Sequence, residues 1–471
     1  MDKKKCDLGM IGLGVMGRNL LLNMADHGYA VIGYNKDRNK VAALLTESGG
    51  RSLLGATSLS EFIPALRHPR AVMMLVPAGA PVDAVISDLL PYLESGDILI
   101  DGGNSFFRDT ERRMKALEEK GIHFLGMGVS GGEWGARHGP SMMPGGPAEA
   151  YARVRPIFES IAAKVKDEPC IAYLGSSSAG HYVKMVHNGI EYGLMQLIAE
   201  TYDLLRGGIN ATNDELADIF GQWNEGELRS YLIEITARIF RQKDDKTDRR
   251  LVDMIADSAG QKGTGSWMSE EAMALQIPIP TIDVAVAIRN LSAFKKEREL
   301  VAQLLGGSAS PYQGSRETLV AQLRGALYAA MILTYGQGMA LLSRASQVYN
   351  YNLKLEDVAR IWRGGCIIRA ELLEKIRAAY QRESGSSNLL TSPELGSEVK
   401  QRIGDLRAVV SIASQIGVPA PALMVSLAYL DAYRSRRLPT NLIQAQRDYF
   451  GSHTYERVDQ EGSFHTLWNQ S

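Results

Sequence analysis

The first 175 residues of the chain alternate short apolar, β-rich runs with segments whose apolar positions recur at helical spacing. Strands that alternate with helices in this way are typical of a doubly wound parallel sheet. The pattern predicts helices over residues 18–27 and 109–120, and strands over residues 8–11, 30–34, 71–76, 98–101, 123–127 and 172–174.

From about Ser178 to about Arg436, long helical patterns replace this alternation and β-rich runs almost disappear. Two uncharged runs, residues 325–343 and 408–430, are long enough to raise the question of a membrane span. Gly417, Pro419 and Pro421 break the second run, and polar side chains interrupt the first, so both are predicted to be buried core helices. The residues after 436 predict an extended tail without a core of its own.

Composition narrows the class of protein. The chain has 52 Lys and Arg against 53 Asp and Glu, a formal charge of −1, which gives no reason to expect nucleic acid or an anionic membrane as a partner. Its three cysteines (Cys6, Cys170 and Cys366) include no C-x-x-C pair. This excludes a disulfide scaffold and a zinc knuckle and is typical of a reducing cytoplasm.

A glycine-rich turn follows the first predicted strand and precedes the first predicted helix. It reads G-x-G-x-x-G, with glycines for a tight turn, for close approach of the backbone to a pyrophosphate, and for packing of helix on strand. The helix N-terminus would supply amide donors to the phosphates. A dinucleotide site is therefore predicted at Gly12, Leu13, Gly14, Val15, Met16 and Gly17.

The end of the second predicted strand bears on the choice of dinucleotide. NAD-binding proteins usually place a carboxylate there, on the ribose hydroxyls. Here Asn35 is neutral and Lys36 and Arg38 can meet a 2′-phosphate, which favours NADP, whereas Asp37 argues for NAD. The alternative is that these are solvated charges in a loop.

Four polar residues, Lys184, His187, Asn188 and Glu191, share one face of a predicted helix at positions i, i+3, i+4 and i+7. Lys184 and Glu191 are about 10.5 Å apart along the axis. The functional interpretation is a face lying along a small polyol, with Lys184 as base and Glu191 as proton donor. The alternatives are a solvated face, and a metal site through His187 and Glu191 that lacks a third ligand nearby.

Two further turns suit a polar, anionic substrate. Asn104 follows a predicted strand and is expected at the carboxyl edge of the sheet, where ligands bind. Ser130, Gly131 and Gly132 offer a hydroxyl and amides that can hold a carboxylate. Each could also be an ordinary turn.

These residues lie in motifs that resemble the decarboxylating 6-phosphogluconate dehydrogenase family, within the wider β-hydroxyacid dehydrogenase group. The match runs essentially from end to end of the chain. The motifs that carry it are GLGVMGRNL, DGGNSFF, GVSGGEWGARHGPSMMPGG, GHYVKMVHNGIEYG, KGTGSW, GCIIRA and NLIQAQRDYFGSHTYER.

The resemblance implies an α/β Rossmann-like coenzyme domain over residues 1–177, a large all-α substrate and dimerisation domain over 178–436, and an extended C-terminal tail over 437–471 that enters the partner subunit of a homodimer. Lys184 would be the general base and Glu191 the general acid. Substrate contacts would fall on Asn104, Ser130, Gly131, Gly132, His187, Asn188, Tyr192, Lys262 and Arg289, with Arg447 and His453 supplied by the partner's tail.

The implied reaction is metal-independent oxidative decarboxylation of 6-phosphogluconate, in the pentose phosphate pathway and in gluconate utilisation. Hydride leaves the third carbon for NADP while Lys184 takes the hydroxyl proton. The resulting β-keto acid loses carbon dioxide, with the protonated Lys184 polarising its ketone. Glu191 then helps to protonate the first carbon and yields ribulose 5-phosphate.

Two departures from the family pattern lie on the coenzyme side. Val76-Pro77-Ala78 stands where the family often has Val-Lys-Ala, and Asn35-Lys36-Asp37 replaces its Asn-Arg-Ser/Thr. NAD or dual coenzyme use therefore stays an alternative. A related β-hydroxyacid dehydrogenase is disfavoured by the cationic Lys262, Arg289 and Arg447, and a non-catalytic dinucleotide-binding regulator is disfavoured by Lys184 and Glu191.

Overall fold

A computed structural model describes residues 5–306, 309–383, 385 and 387–468 of the chain. Its main sheet consists of β1 (Leu8–Ile11), β2 (Val31–Tyr34), β3 (Leu53–Ala56), β4 (Ala71–Met74), β5 (Ile98–Asp101), β6 (His123–Ser130) and β7 (Ser141–Gly145). The strand order is β3-β2-β1-β4-β5-β6-β7. The first six strands are parallel, and β7 is antiparallel to β6.

Five of the six predicted strands are confirmed, two of them with the predicted bounds and three with shifted ends. The prediction over residues 172–174 is wrong, because only Ile171 bridges the sheet, at Met142. Two strands of the main sheet, β3 and β7, were not predicted. β3 is half-exposed and contains a glycine, and β7 contains Pro144, which an edge strand tolerates because one of its sides needs no ladder hydrogen bonds.

Helices cover both faces of this sheet. They are α1 (Val15–Asp26), α2 (Arg38–Thr46), α3 (Leu59–Phe62), α4 (Ala80–Leu89), α5 (Phe107–Glu118), α6 (Gly132–His138) and α7 (Ala148–Ile161). Alternate strand residues enter two separate apolar clusters, so that Leu8 and Met10 of β1 lie in one and Ile11 lies in the other. Burial of both faces explains why these strands are continuous apolar runs.

The remaining chain is helical. Its helices are α8 (Ala179–Asp203), α9 (Asn213–Trp223), α10 (Tyr231–Arg241), α11 (Thr264–Ala274), α12 (Pro280–Ser292), α13 (Lys295–Leu305), α14 (Arg316–Val348), α15 (Leu355–Ile361), α16 (Leu372–Arg382), α17 (Pro393–Ile416), α18 (Pro421–Tyr433) and α19 (Thr440–Gly451). A π-helical turn, Leu204–Gly208, follows α8. A third and largest apolar cluster unites most of these helices.

Both uncharged runs are core helices, as predicted. Within the described residues, α14 alone is long and apolar enough to cross a membrane, but 94% of its most apolar window is buried inside the protein. The second run divides into α17 and α18, and Gly417 ends α17 in the left-handed conformation (φ +75°).

The tail differs from the prediction of an extended segment. It contains α19, followed by a short antiparallel hairpin of β10 (Tyr455–Glu456) and β11 (Ser463–Phe464). A similar small hairpin of β8 (Lys164–Val165) and β9 (Glu168–Pro169) lies between the sheet and α8. Apart from Asp448, every residue of α19 has a partly or fully exposed side chain.

Candidate active site

The glycine turn between β1 and α1 has the geometry of a phosphate cradle. Gly12 has φ +97°, and a Cβ there would lie 2.3 Å from the carbonyl oxygen of Leu75. A Cβ on Gly17 would lie 1.9 Å from the carbonyl oxygen of Gly12, so α1 can pack on the turn only without a side chain. A Cβ on Gly14 would meet nothing within 4 Å, and α1 begins there without a side-chain cap. The amides of its first turn therefore suit an anion such as a pyrophosphate.

The coenzyme-side residues after β2 have local roles. Asp37 caps α2 and accepts a hydrogen bond from the Asn39 amide at 2.9 Å, while Asn35 Oδ1 accepts from the Asp37 amide at 2.9 Å. Lys36 pairs with Asp88 at 3.0 Å. The Arg38 side chain is exposed at the start of α2. The carboxylate that argued for NAD is thus engaged as a helix cap, a role that its position before a helical pattern indicates.

Two more loops leave the carboxyl edge of the sheet, one after β4, beside the point where strand order reverses, and one after the neighbouring β5. Val76, Pro77 and Ala78 follow β4, and Asn104 is exposed just beyond β5. Asp101 organises the second loop: its carboxylate accepts from the Gly103 amide at 3.0 Å and from Ser105 Oγ at 2.6 Å. The DGGNSFF motif contains Asp101, but sequence reasoning missed this role. The arrangement places Asn104 where ligands of open α/β sheets bind.

The candidate catalytic helix, α8, packs directly on β6 and β7 because glycines stand at the crossing. A Cβ on Gly180 would lie 2.2 Å from the carbonyl oxygen of Met143 and 2.3 Å from that of Gly126. A Cβ on Gly128 would lie 2.4 Å from the Cβ of Lys184. The absence of side chains at these glycines lets Lys184 lie against the sheet.

Three of the four polar residues of α8, Lys184, His187 and Asn188, form one hydrogen-bonded cluster, and Glu191 lies beside it. Lys184 Nζ donates to Asn188 Oδ1 at 2.8 Å and lies 3.4 Å from His187 Nδ1. His187 Nε2 lies 3.4 Å from Ser130 Oγ at the end of β6. His187 is fully buried against Trp362 (ring centroids 5.6 Å apart), whereas the Glu191 side chain is 22% exposed. The face is therefore not simply solvated.

Burial favours the uncharged forms of the titratable side chains on this face of α8. Burial lowers the pKa of Lys184, against the charge of Glu191, and raises the pKa of Glu191, against the charges of Lys184 and Arg289. Burial and the charge of Lys184 hold the pKa of His187 well below its ordinary value. His187 Nδ1 lies 3.4 Å from Lys184 Nζ, which can donate, and 3.2 Å from Asn188 Oδ1, which can only accept, so each tautomer of a neutral His187 satisfies one of these contacts. Lys184 is thus suited to accept a proton and Glu191 to donate one.

The glycine turn at the end of β6 follows Ser130, whose hydroxyl contacts His187 of α8. Ser130 is buried, and Gly131 has φ +120°, with the carbonyl oxygen of Gly365 2.6 Å from where its Cβ would stand. Gly132 begins α6 and is exposed. The structure therefore brings this predicted turn together with His187.

Arg289 of α12 brings a positive charge to the far end of the cluster, where it opposes the effect of burial on the pKa of Glu191. The guanidinium of Arg289 lies over the Tyr192 ring, 3.4 Å from its centroid. Lys262 is exposed in the loop before α11, and Gln261 of that loop is tied to Asn290 of α12 by a 2.5 Å hydrogen bond. The cation of Arg289 beside Glu191 suits an anionic substrate.

The structure does not bring Arg447 and His453 to this cluster within one chain. Arg447 donates to Gln444 at 3.0 Å, and the ring of His453 contacts Phe450 at 5.9 Å. Across the described ranges, no hydrogen bond, ion pair or ring contact joins either side chain to the polar face of α8.

His187 Nδ1 lies 3.9 Å from Glu191 Oε2. No group of three or more His, Cys, Asp or Glu side chains in the described part of the chain is placed to hold a metal ion.

Two family models together match nearly the whole chain: the NAD binding domain of 6-phosphogluconate dehydrogenase over residues 7–175, and the C-terminal domain of 6-phosphogluconate dehydrogenase over residues 180–468. The chain belongs to the 6-phosphogluconate dehydrogenase family. It is 52% identical, over 98% of its length and 99% of the relative's, to the NADP(+)-dependent, decarboxylating 6-phosphogluconate dehydrogenase of Bacillus subtilis.

A decarboxylating 6-phosphogluconate dehydrogenase of Escherichia coli is 49% identical over 98% of this chain and 99% of its own. The solved 6-phosphogluconate dehydrogenase of Plasmodium falciparum, described in its apo form and in complex with NADP+ and with 6-phosphogluconate, superposes with a TM-score of 0.95. It is 45% identical and covers 98% of this chain and 100% of its own. Family membership and the fold class of a Rossmann-like domain followed by a large helical domain are thereby confirmed.

Proposed function

We infer that this protein is an NADP-dependent dehydrogenase that converts 6-phosphogluconate to ribulose 5-phosphate and carbon dioxide. The observation that carries the inference is the polar face of α8, where burial favours a neutral Lys184 and a protonated Glu191 on either side of His187 and Asn188. The phosphate cradle at Gly12–Gly17 and the family match over both parts of the chain support it.

Two residues of the chain, Lys184 and Glu191, carry out the proton transfers. NADP, when bound, supplies the hydride acceptor. Neutral Lys184 removes the proton of the hydroxyl on the substrate's third carbon as the hydride of that carbon leaves, and as an ammonium it then polarises the new ketone while carbon dioxide leaves. Glu191, near the other end of the cluster, protonates the first carbon of the enol. This sequence needs no metal, and we propose that the reaction is metal-independent and unaffected by EDTA.

Coenzyme choice tests the function directly. With 6-phosphogluconate, we expect kcat/KM for NADP to exceed that for NAD by at least about tenfold, because Arg38 is exposed and can pair with a 2′-phosphate while Asp37 is engaged as a cap. Parallel assays follow nicotinamide reduction and carbon dioxide release, with gluconate as the unphosphorylated control.

Arg38→Ala should lower kcat/KM for NADP and leave that for NAD unchanged, whereas Lys40→Ala, two residues along the same exposed helix, should change neither. Equal use of both coenzymes by the unaltered protein would refute the NADP preference. Absence of reduction with either coenzyme would refute the substrate assignment.

Glu191→Gln should lower kcat by about 10²- to 10⁴-fold, because the amide cannot donate the proton that the enol needs. In the active form Glu191 is protonated and therefore uncharged, so glutamine leaves the charge beside Lys184 unchanged. Burial raises the pKa of Glu191, and activity that requires its proton is lost as pH rises through that pKa. The residual activity of Glu191→Gln should therefore lack the alkaline limb of the kcat profile, and an alkaline limb that stays in place would contradict Glu191 as the proton donor.

We propose that the active form is a homodimer in which each tail completes the partner's site. Helix α19 exposes Leu442, Ile443 and Phe450, an apolar surface of the kind that marks a protein interface, while its Arg447 lies away from the cluster of its own chain. A cytoplasmic location accords with three cysteines that are all free and buried.

A further inference from the structure

The tail contains a feature that the proposed reaction does not use: a carboxylate at its centre that is fully buried. Asp448 belongs to α19, whose other side chains are partly or fully exposed, and its own side chain has 0% exposure. An unpaired buried carboxylate is costly, so its partners indicate what it holds together.

Four donors from the chain beyond α19 converge on Asp448. Oδ1 accepts from the Thr454 amide at 3.0 Å and from His465 Nδ1 at 2.9 Å. Oδ2 accepts from the Thr466 amide at 3.1 Å and from Trp468 Nε1 at 2.9 Å. Hydrogen bonds to a charged acceptor are among the strongest in proteins, so the last residues of the tail are folded back onto α19.

His453 stands at the turn that these bonds close. Its two neighbours, Ser452 (φ +50°) and Thr454 (φ +59°), both have the left-handed backbone that side chains other than glycine rarely adopt. Such a conformation persists only where surrounding contacts impose it. Here the Ser452 amide donates to the carbonyl oxygen of Asp448 at 2.9 Å, and the Thr454 amide donates to its carboxylate.

Gln444 joins the same turn to Arg447. Its Oε1 accepts from Arg447 Nη1 at 3.0 Å, and its Nε2 donates to the carbonyl oxygen of Thr454 at 2.5 Å. Arg447 is therefore hydrogen-bonded through Gln444 to Thr454, the residue after His453, and Asp448 holds the same residue.

We propose that Asp448 is a positioning residue, which holds Arg447 and His453 in one fixed geometry for the phosphate end of the substrate in the partner's site. The inference rests on the proposed exchange of tails. It assigns a function to a residue that itself makes no contact with substrate. Asp448 acts on substrate binding, since the groups it holds are proposed to bind the phosphate and take no part in the proton transfers at Lys184 and Glu191.

The test is steady-state kinetics of Asp448→Asn. In this variant an amide nitrogen, which donates, replaces a carboxylate oxygen that accepts hydrogen bonds from the tail. The turn that carries His453 would then lose its fixed geometry, so we expect KM for 6-phosphogluconate to rise on the order of 10- to 100-fold. The values of kcat and of KM for NADP should stay near those of the unaltered protein. The control is Asp459→Asn in the same tail, which removes only an exposed ion pair with Arg457 and should change nothing.

Kinetics in a second background, the Arg447→Ala/His453→Ala chain, distinguish positioning of these two residues from a purely structural role of Asp448. If Asp448 acts only through Arg447 and His453, then Asp448→Asn should add little to the KM of an Arg447→Ala/His453→Ala chain. An unchanged KM in Asp448→Asn, or the same increase in both backgrounds, would overturn the inference. Normal KM in Arg447→Ala/His453→Ala would instead refute the proposed use of the tail.

If Asp448→Asn does not form a dimer, Trp468→Phe provides a milder test of the same set of hydrogen bonds. This change removes one donor to Oδ2 and retains a ring beside Tyr449. Light scattering should show a dimer, and KM for 6-phosphogluconate should rise by a smaller factor than in Asp448→Asn. If Asp448→Asn is monomeric and dimeric Trp468→Phe has an unchanged KM, the inference is overturned.

Discussion

Lys184→Met is expected to lower kcat by about 10²- to 10⁴-fold, while the dissociation constant of NADP changes little. The variant loses the group that accepts the hydroxyl proton and then polarises the ketone. The coenzyme cradle is built separately, from β1 and α1. Stopped assays of carbon dioxide release measure the first quantity, and displacement of fluorescent NADPH by NADP measures the second.

The fold should tolerate this change. The stem of Lys184 lies against the glycines of β6, and methionine can fill the same buried space without a charge to desolvate. Lys400→Met, an exposed lysine on α17, is the matched control and should retain full activity. Near-normal turnover in Lys184→Met would refute the assignment of the base.

Removal of the residues after Arg436 is expected to raise KM for 6-phosphogluconate by on the order of 10²-fold or more and to weaken the dimer at the same time. The deleted segment carries Arg447 and His453 together with the exposed apolar side chains of α19. Kinetics at saturating NADP and analytical ultracentrifugation measure the two effects. A shortened chain that stays dimeric with unchanged KM would refute the shared site.

Mixing of two defective chains tests exchange more sharply. A Lys184→Met chain has an intact tail but lacks the proposed catalytic base. An Arg447→Ala/His453→Ala chain retains the base but has a defective tail. If tails are exchanged, a mixed dimer contains one complete site. Refolding the two together should therefore restore activity that neither has alone at 6-phosphogluconate concentrations near the KM of the unaltered protein. If each tail serves its own chain, no mixture regains activity.

Sequence patterns predicted best where one local rule dominates. A buried parallel strand is a continuous apolar run, so β1 and β5 were predicted with their bounds. The second uncharged run was predicted to divide at Gly417 because glycine and the prolines that follow it interrupt a helix. β7 could not be predicted in this way, because Pro144 is acceptable only at a sheet edge and the edge exists only once β6 is in place.

The same distinction separates the parts of the site. The chain by itself determined which side chains share a face of α8, because helical spacing is a local property of Lys184, His187, Asn188 and Glu191. It also determined the phosphate turn, because Gly12–Gly17 is a contiguous motif. Its family resemblance further supplied the roles of residues far apart in sequence.

Only the tertiary structure decided the chemistry that this face can perform. The pKa of Lys184 falls and that of Glu191 rises because α8 is pressed against β6 and the helical core, and burial depends on neighbours that are distant along the chain. The folded tail around Asp448 depends likewise on donors 6 to 20 residues away. Desolvation and convergent hydrogen bonding are properties of packing, which no local pattern contains.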